Sequence, residues 1–373
     1  MRILVCAGHF YPYIGGYEKY ILELYKRLVN KYDIDILTYD NQNNPQYEKV
    51  FGLNVYRLSS WDLLGNTYPI PKPNIKNLKL LFKIYKKKYN FINTQTRFFS
   101  INLIGYLFSK FKKIKLIHTE HGTSHVILNN KLFSLLNEIY DHTLGSLIIK
   151  SAWKNVGISK ASCEFSKHLG AKSTYLVPNG IDISIFKKKK TNLKIKLKIS
   201  KEYKIITFIG RLIYAKGVQD LISVFPKIKE KYPKIKLLII GDGNYKMELE
   251  KISNDKDIIF LGQRKDIIDI LNITDIFINP SYSEGLPTSV LEAGAIGLPV
   301  IATDVGGTKE IITNQKTGLL IKKKNLKEIK ETIIFMLDHP QKMDDYKDNL
   351  NKLIKNKFDW EIIFKKWKNI LIK

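Results

Sequence analysis

Five short apolar runs, 205–209, 237–240, 258–261, 276–278 and 300–302, recur through the second half of the chain, and each stops in a small or polar cluster. The clusters read GRLIYAKG, GDGN, GQRKD, NPSYSEG and TDVGG. Short β-rich runs alternating with longer helical patterns predict a parallel sheet covered by helices. The carboxyl ends of parallel strands share one edge, so the five clusters are expected to converge on a single crevice, where α/β sheets bind ligands.

The fourth run opens DIFINPSYSEGLPTSVLE, residues 275–292, which reads as strand, loop and helix. The helix is expected to start at Pro287, a residue suited to a first helical position. Its leading backbone N–H groups then point back at the loop and make a site for an anion such as phosphate. Two carboxylates flank that site. Glu284 lies in the loop, and Glu292 sits among Ser289, Val290, Leu291, Ala293, Gly294 and Ala295. A helical Glu is most often solvated surface, but a carboxylate in such small, apolar company calls for a partner. Arg211 and Lys216, with Gly210 and Gly217 beside them, leave the first of the five runs as two cations on a flexible turn. Facing a helix N-terminus across one edge, they are expected to clamp a diphosphate.

The first half repeats the alternation, with candidate strands at Arg2–Cys6, 34–38, 91–94, 116–118 and 156–159. Gly15 and Gly16 precede a helix whose apolar positions Tyr20, Ile21, Leu24, Tyr25 and Leu28 have helical spacing. Adjacent glycines there admit a phosphate or sugar, although a Gly-Gly turn is more often only a turn. The run LIHTEHGTSH puts His118, Glu120, His121 and His125 at and beyond a strand end. It lacks a zinc-type helical spacing and no Cys joins it, so a hydrogen-bonding or catalytic role for His121 is preferred to a metal site, with a structural loop histidine as the alternative. Residues 74–89 form a basic amphipathic pattern. Ile75, Leu78, Leu81, Phe82 and Tyr85 are its apolar set, and Lys76, Lys79, Lys83, Lys86, Lys87 and Lys88 carry its charge. Such a helix either covers a sheet face or lies on an anionic membrane. The C-terminal FDWEIIFKKWKNILIK reads as an amphipathic helix packed through Trp360 and Trp367.

The 373 residues accommodate two domains. The turn-rich VPNGIDISIF and the charge run after it mark the boundary. The formal charge of +27 should attract phosphates, nucleic acid or an anionic membrane, unless the abundant lysine is only a compositional habit. A nucleic-acid-binding protein is therefore a competing class, but the basic residues are scattered and no nucleic-acid motif occurs. Cys6 and Cys163 provide no disulfide framework, which favours a reducing compartment. The opening MRILVCAG is read as a buried strand in place of a secretion signal, and no apolar run is long enough to span a membrane.

Together, GG-x-E at Gly15, VPNGID at 177–182, G-R-L-x-x-x-K-G from Gly210, GDG at 241, E-G-L-P-T-S-V-L-E from Glu284 and DVGG at 304 resemble the family-4 retaining glycosyltransferases of the GT-B fold, over nearly the full length. The resemblance implies two Rossmann-like domains facing a cleft. Residues 1–175, joined by a C-terminal helix at about 357–373 that crosses back, would bind the acceptor; residues 176–356 would hold a nucleotide diphosphate sugar. It implies that Arg211 and Lys216 stabilise the departing diphosphate, that Glu292 binds the ribose, and that Glu284 and the backbone of Gly285, Leu286, Pro287 and Thr288 hold the transferred sugar. His121 would approach that sugar, and Gly15 and Gly16 would let the N-terminal loop close on the phosphates. The implied activity is hexosyl transfer with retention and without cofactor or metal, in cell-surface glycan, glycolipid or lipid-linked oligosaccharide synthesis. The enzyme is expected in the cytoplasm, with its membrane face as a further location and no nucleic acid as partner. A GT-B nucleotide-sugar epimerase or phosphorylase is the alternative activity.

Overall fold

The computed structural model describes residues 1–13, 15–40, 42–63, 68–126 and 131–372. The chain divides into two compact units. Among the described residues, the first is built from Met1–Val126, 131–178 and 364–372; the second includes Asn179–Ile363. The division falls inside the VPNGID run, between Pro178 and Asn179.

In the first unit, among the described residues, the strands are β1 (Arg2–Cys6), β2 (Asp33–Asp40), β3 (Tyr47–Val50), β4 (Leu53–Leu63), β5 (Tyr68–Pro71), β6 (Phe91–Gln95), β7 (Lys115–Glu120), β8 (Lys154–Gly157) and β9 (Thr174–Leu176). Their order is β3-β4-β2-β1-β6-β7-β8-β9, with β5 on β4. All pairs are parallel except β3 with β4 and β4 with β5. The strand expected at 156–159 lies two residues earlier: Ser159 leaves the sheet to cap the next helix, its hydroxyl accepting from the Ser162 N–H. The helices are α1 (Gly16–Lys26), α2 (Ile75–Lys86), α3 (Ile101–Lys112), α4 (Lys131–Tyr140), α5 (Ser146–Ser151) and α6 (Lys160–His168). A π-helical turn, Asp141–Gly145, joins α4 to α5. On α2 the buried residues are Asn77, Leu80 and Ile84, whereas Ile75, Leu78 and Phe82 of the expected apolar set are exposed. The helix covers the sheet with one edge and turns a second apolar stripe, flanked by Lys76, Lys79, Lys83 and Lys86, to solvent.

The second unit has six strands among the described residues: β10 (Lys204–Ile209), β11 (Ile235–Ile240), β12 (Ile258–Gly262), β13 (Ile276–Asn279), β14 (Val300–Thr303) and β15 (Leu319–Ile321). The order β12-β11-β10-β13-β14-β15 is parallel throughout. Helices α7 (Leu193–Lys196), α8 (Val218–Lys231), α9 (Lys246–Ile252), α10 (Ile267–Ile273), α11 (Thr288–Ile296), α12 (Leu326–Asp338) and α13 (Pro340–Lys357) complete it. Strand alternation sends Ile206 and Phe208 into a core with Leu221 and Phe225 of α8 and Ile329 and Ile333 of α12. Ile205 and Leu238 join Ile270 of α10 in a separate core. The last helix, α14 (Trp360–Ile372), begins in the second unit and passes at Phe364 into the first.

Strand order reverses between β10 and β13 in this sheet and between β1 and β6 in the other. Chains leaving neighbouring strands at such a point turn to opposite faces, which opens a crevice at the carboxyl ends.

Candidate active site

At the β10/β13 switch point the chain leaves β10 through Gly210 and Arg211, and leaves β13 through Pro280 to Thr288. Backbone hydrogen bonds tie the five clusters together. Tyr282 N–H donates to the Ala215 carbonyl at 2.8 Å, Gly307 N–H to Gly285 at 3.0 Å, Leu212 N–H to Asp242 at 2.9 Å, and Gly241 N–H to Gly262 at 2.9 Å. Gly217, at φ +68°, lets the turn that carries Lys216 approach the chain leaving β13, since a Cβ there would lie 2.1 Å from the Pro280 carbonyl oxygen.

That approach brings Lys216 onto Glu284, with Nζ 2.7 Å from Oε1. The same carboxylate oxygen accepts from Ser281 Oγ at 2.7 Å and Asn279 Nδ2 at 3.1 Å. Burial pushes the Glu284 carboxyl up, but the Lys216 charge and these three donors outweigh it and hold the group below its ordinary range. Glu284 is thus a buried carboxylate, ionised at neutral pH. Separate roles were expected for Lys216 and Glu284; the structure joins them in one ion pair. Arg211 is exposed on the same turn.

The helix after the loop starts at Thr288, one residue later than expected, with Pro287 extended in front of it at φ −70°, ψ 106° and no side chain capping it. Its leading N–H groups therefore retain their donor capacity. Asn179 fixes the entry: its Nδ2 donates to the Leu286 carbonyl at 3.0 Å and to Thr288 Oγ1 at 3.3 Å. Glu292 is buried one turn on, 8% exposed, as is Glu284. The small residues of α11 serve partly to admit another helix. A Cβ on Gly294 would lie 2.6 Å from Leu350 and 2.5 Å from Ile354 of α13, and Asn351 Nδ2 donates to the Ala295 carbonyl at 2.6 Å.

In the first unit, His121 follows β7 beside the β1/β6 switch. Its Nε2 lies 2.8 Å from Gln95 Oε1, and the rings of Tyr17 and Tyr20 meet it edge-on, each 5.0 Å away. The Gln95 amide nitrogen donates to Asn93 Oδ1, so its oxygen faces the histidine and His121 carries its proton on Nε2. Burial pushes the imidazole down to about 3, against the pull of Glu120, so it is neutral with a lone pair on Nδ1. The other members of that run are held elsewhere. His118 Nδ1 meets Thr94 Oγ1 at 2.9 Å. Glu120 is paired with Arg97 Nη1 at 3.1 Å and accepts from the Gly122 N–H at 2.6 Å. His125 turns to Asp141. Gly16 is the first residue of α1 and Gly15 its extended cap; a Cβ on Gly15 would lie 2.6 Å from Glu18 Oε2, so the missing side chain makes room for that carboxylate.

Sequence reasoning missed Asn279, Ser281, Asn179 and Gln95. The first two stand inside the NPSYSEG cluster and Asn179 inside VPNGID, where polar residues next to a buried Glu or a helix start were the available signal. Nothing in the sequence pointed to Gln95.

Two doubly wound units, one of them with a carboxylate, a lysine and an uncapped helix start at its switch point, define an α/β enzyme of the GT-B class. The description "Glycosyltransferase Family 4" matches residues 14–185, and "Glycosyl transferases group 1" matches residues 189–353. A glycosyltransferase of Methanocaldococcus jannaschii is 32% identical over 99% of this chain and 98% of that one. The N,N'-diacetylbacillosaminyl-diphospho-undecaprenol alpha-1,3-N-acetylgalactosaminyltransferase of Campylobacter jejuni is 29% identical over 71% of this chain and 72% of its own. The structure of Anabaena HepE in complex with UDP and glucose has the same fold, with a TM-score of 0.82 at 20% identity, covering 100% of this chain and 99% of that one. The chain belongs to the group 1 glycosyltransferases.

Proposed function

We propose that the protein transfers a hexosyl unit, with retention, from a nucleoside diphosphate sugar to a hydroxyl of a glycan or lipid-linked acceptor. The observation that carries this reading is the switch-point crevice of the second unit, where Lys216 is paired with the Glu284 carboxylate, Arg211 is exposed on the same turn as Lys216, and the α11 N-terminus carries no side-chain cap. Charge develops on the diphosphate as the glycosidic bond breaks, and fixed cations and N–H dipoles oppose it without reorganising. In this reading Arg211 and Lys216 hold the leaving group with no metal. Glu284 accepts from hydroxyls of the transferred sugar, beside the backbone of Gly285, Leu286, Pro287 and Thr288. Glu292 accepts from the ribose.

The first unit is the acceptor-binding one in this reading, with Gly15 and Gly16 approaching phosphate. His121 serves as a neutral hydrogen-bond acceptor through Nδ1. A nucleotide donor is supported by HepE, solved with UDP and glucose, and a lipid-linked acceptor by the Campylobacter jejuni relative's name. Among the described residues no helix is long and apolar enough to cross a membrane. The exposed stripe of Ile75, Leu78 and Phe82 among lysines on α2 supports peripheral attachment to an anionic surface.

Incubation with labelled nucleotide sugars and lipid-linked or free glycan acceptors tests the reading. An elongated acceptor with retained anomeric configuration is expected. An epimerised donor or a sugar phosphate as the product would replace transferase with epimerase or phosphorylase.

A further inference from the structure

We propose that His125, His142 and His168 form a binding site for a divalent transition-metal ion, with zinc as the reference case. The three imidazoles come from separate places in the first unit: the loop after β7, the π-turn between α4 and α5, and the last residue of α6. One ring nitrogen from each lies within 4.8 Å of the others. The ring centroids are 5.2 Å apart for His125 and His142, 5.4 Å for His142 and His168, and 6.1 Å for His125 and His168. Three imidazoles form a donor set suited to Zn²⁺, Cu²⁺ or Ni²⁺.

The surroundings orient one of these ligands in the manner of a metal site. Asp141 Oδ2 lies 2.7 Å from His125 Nδ1. With the proton on Nδ1, that nitrogen donates to the carboxylate and Nε2 keeps its lone pair, the carboxylate–histidine arrangement that fixes ring orientation beside a metal. The carboxylate is itself held. Arg97 Nε and Nη2 donate to Asp141 Oδ1 and Oδ2 at 2.7 and 2.8 Å, and both residues are 1% exposed. The π-turn Asp141–Gly145, a form concentrated at functional sites, places the carboxylate inside and His142 at the surface. Phe165 supplies a wall: it meets His125 edge-on at 5.2 Å and stacks on His168 at 6.0 Å.

Zinc–nitrogen bonds of about 2.0–2.1 Å in a tetrahedron put ligand nitrogens about 3.3 Å apart. The approach still needed, at most about 1.5 Å by that geometry, falls to His142 and His168, the two exposed rings, while Asp141 anchors the third. Three protein ligands leave a fourth position for water. Bound there, the ion clasps three segments of the first unit and fixes the chain four residues beyond His121. His125, His142 and His168 have no part in the proposed transfer, so no step of it runs through this ion.

The test uses the full chain without an affinity tag, stripped with EDTA and titrated with zinc chloride against a chromophoric chelator. One zinc per chain at micromolar or tighter affinity is expected. H142Q and H168Q should each weaken binding roughly tenfold or more, and the double variant should lose it. H339Q, which changes a histidine of another element, should bind as the wild type does. Both ligand rings are exposed, so the metal-free variants should melt with the metal-free wild type, which separates lost ligation from lost folding. A wild type that takes up no zinc at micromolar concentrations, or a double variant that binds as the wild type does, overturns the proposal.

Discussion

Replacing Lys216 by Met removes the cation from the buried Glu284 carboxylate while keeping the length of the side chain. Stripping one partner from a fully buried ion pair costs about 3–5 kcal/mol. Here the cost is smaller, because Glu284 keeps the Ser281 and Asn279 donors and Lys216 is itself 19% exposed. One lost charge-assisted hydrogen bond, about 2 kcal/mol, is the appropriate size. In a unit of about 185 residues each kcal/mol moves the midpoint by about 2–4 °C, so K216M should melt about 4–8 °C lower at neutral pH. The pH dependence has a definite sign. In the wild type the Glu284 pKa is depressed, so its contribution is present above the unfolded value and lost as pH falls through the folded one. In K216M the raising effect of burial is less opposed, so the penalty is greatest at neutral pH and shrinks as pH falls towards the unfolded carboxylate value. Differential scanning calorimetry, which can separate the transitions of two units, should show the gap narrowing between pH 7.5 and 4.5, and K216M/E284Q should recover about 1 kcal/mol relative to K216M. A gap that is constant with pH, together with no recovery in the double variant, would refute the coupling of these two residues.

Arg211→Ala, at an exposed position, should leave the melting temperature unchanged and cut turnover roughly 100-fold in a donor-consumption assay; near-normal turnover would remove it from leaving-group stabilisation. Glu292→Ala should chiefly weaken donor binding in calorimetric titrations, whereas Glu284→Ala should chiefly slow transfer at saturating donor; the reverse pattern exchanges their roles. His121 is pushed down to about 3, so folding resists its protonation and the wild type should lose stability as pH falls below the unfolded value near 6.5. H121Q should lose less between pH 6.5 and 4, and parallel melting curves would contradict the neutral assignment. Sedimentation with anionic vesicles at low salt should capture the wild type and not a variant with Lys76, Lys79, Lys83 and Lys86 changed to Gln; equal capture would place the contact elsewhere.

The second sheet was legible because its inner strands β10, β11, β13 and β14 are buried on both faces and read as apolar runs. IITFI and LLII could scarcely be anything else, and the clusters after them announced the shared edge. The first sheet hid more. β3, β4 and β5 form an antiparallel edge, where pairing depends on register and turns that short propensity runs do not reveal. The three-residue strands β9 and β15 are too short to leave a pattern. On α2, helical spacing identified an apolar set correctly as a stripe but could not say which stripe faces the sheet. Asn77, polar and buried, lies on the covered edge because its side chain bonds the backbone of Ser59 and Lys72.

The residues of the candidate site could be named from the sequence, but their pairings could not. Lys216 and Glu284 are 68 positions apart, and only the contact between the Gly217 and Pro280 turns brings them together. That contact makes a change at Lys216 a change in the electrostatics of Glu284, so a slow K216A enzyme would not by itself show that the lysine touches the diphosphate. Comparing turnover in K216A, E284Q and the double variant separates the two. If Lys216 acts only by keeping Glu284 ionised, adding K216A to E284Q costs little more. If it also bears on the leaving group, the double variant falls well below either single one.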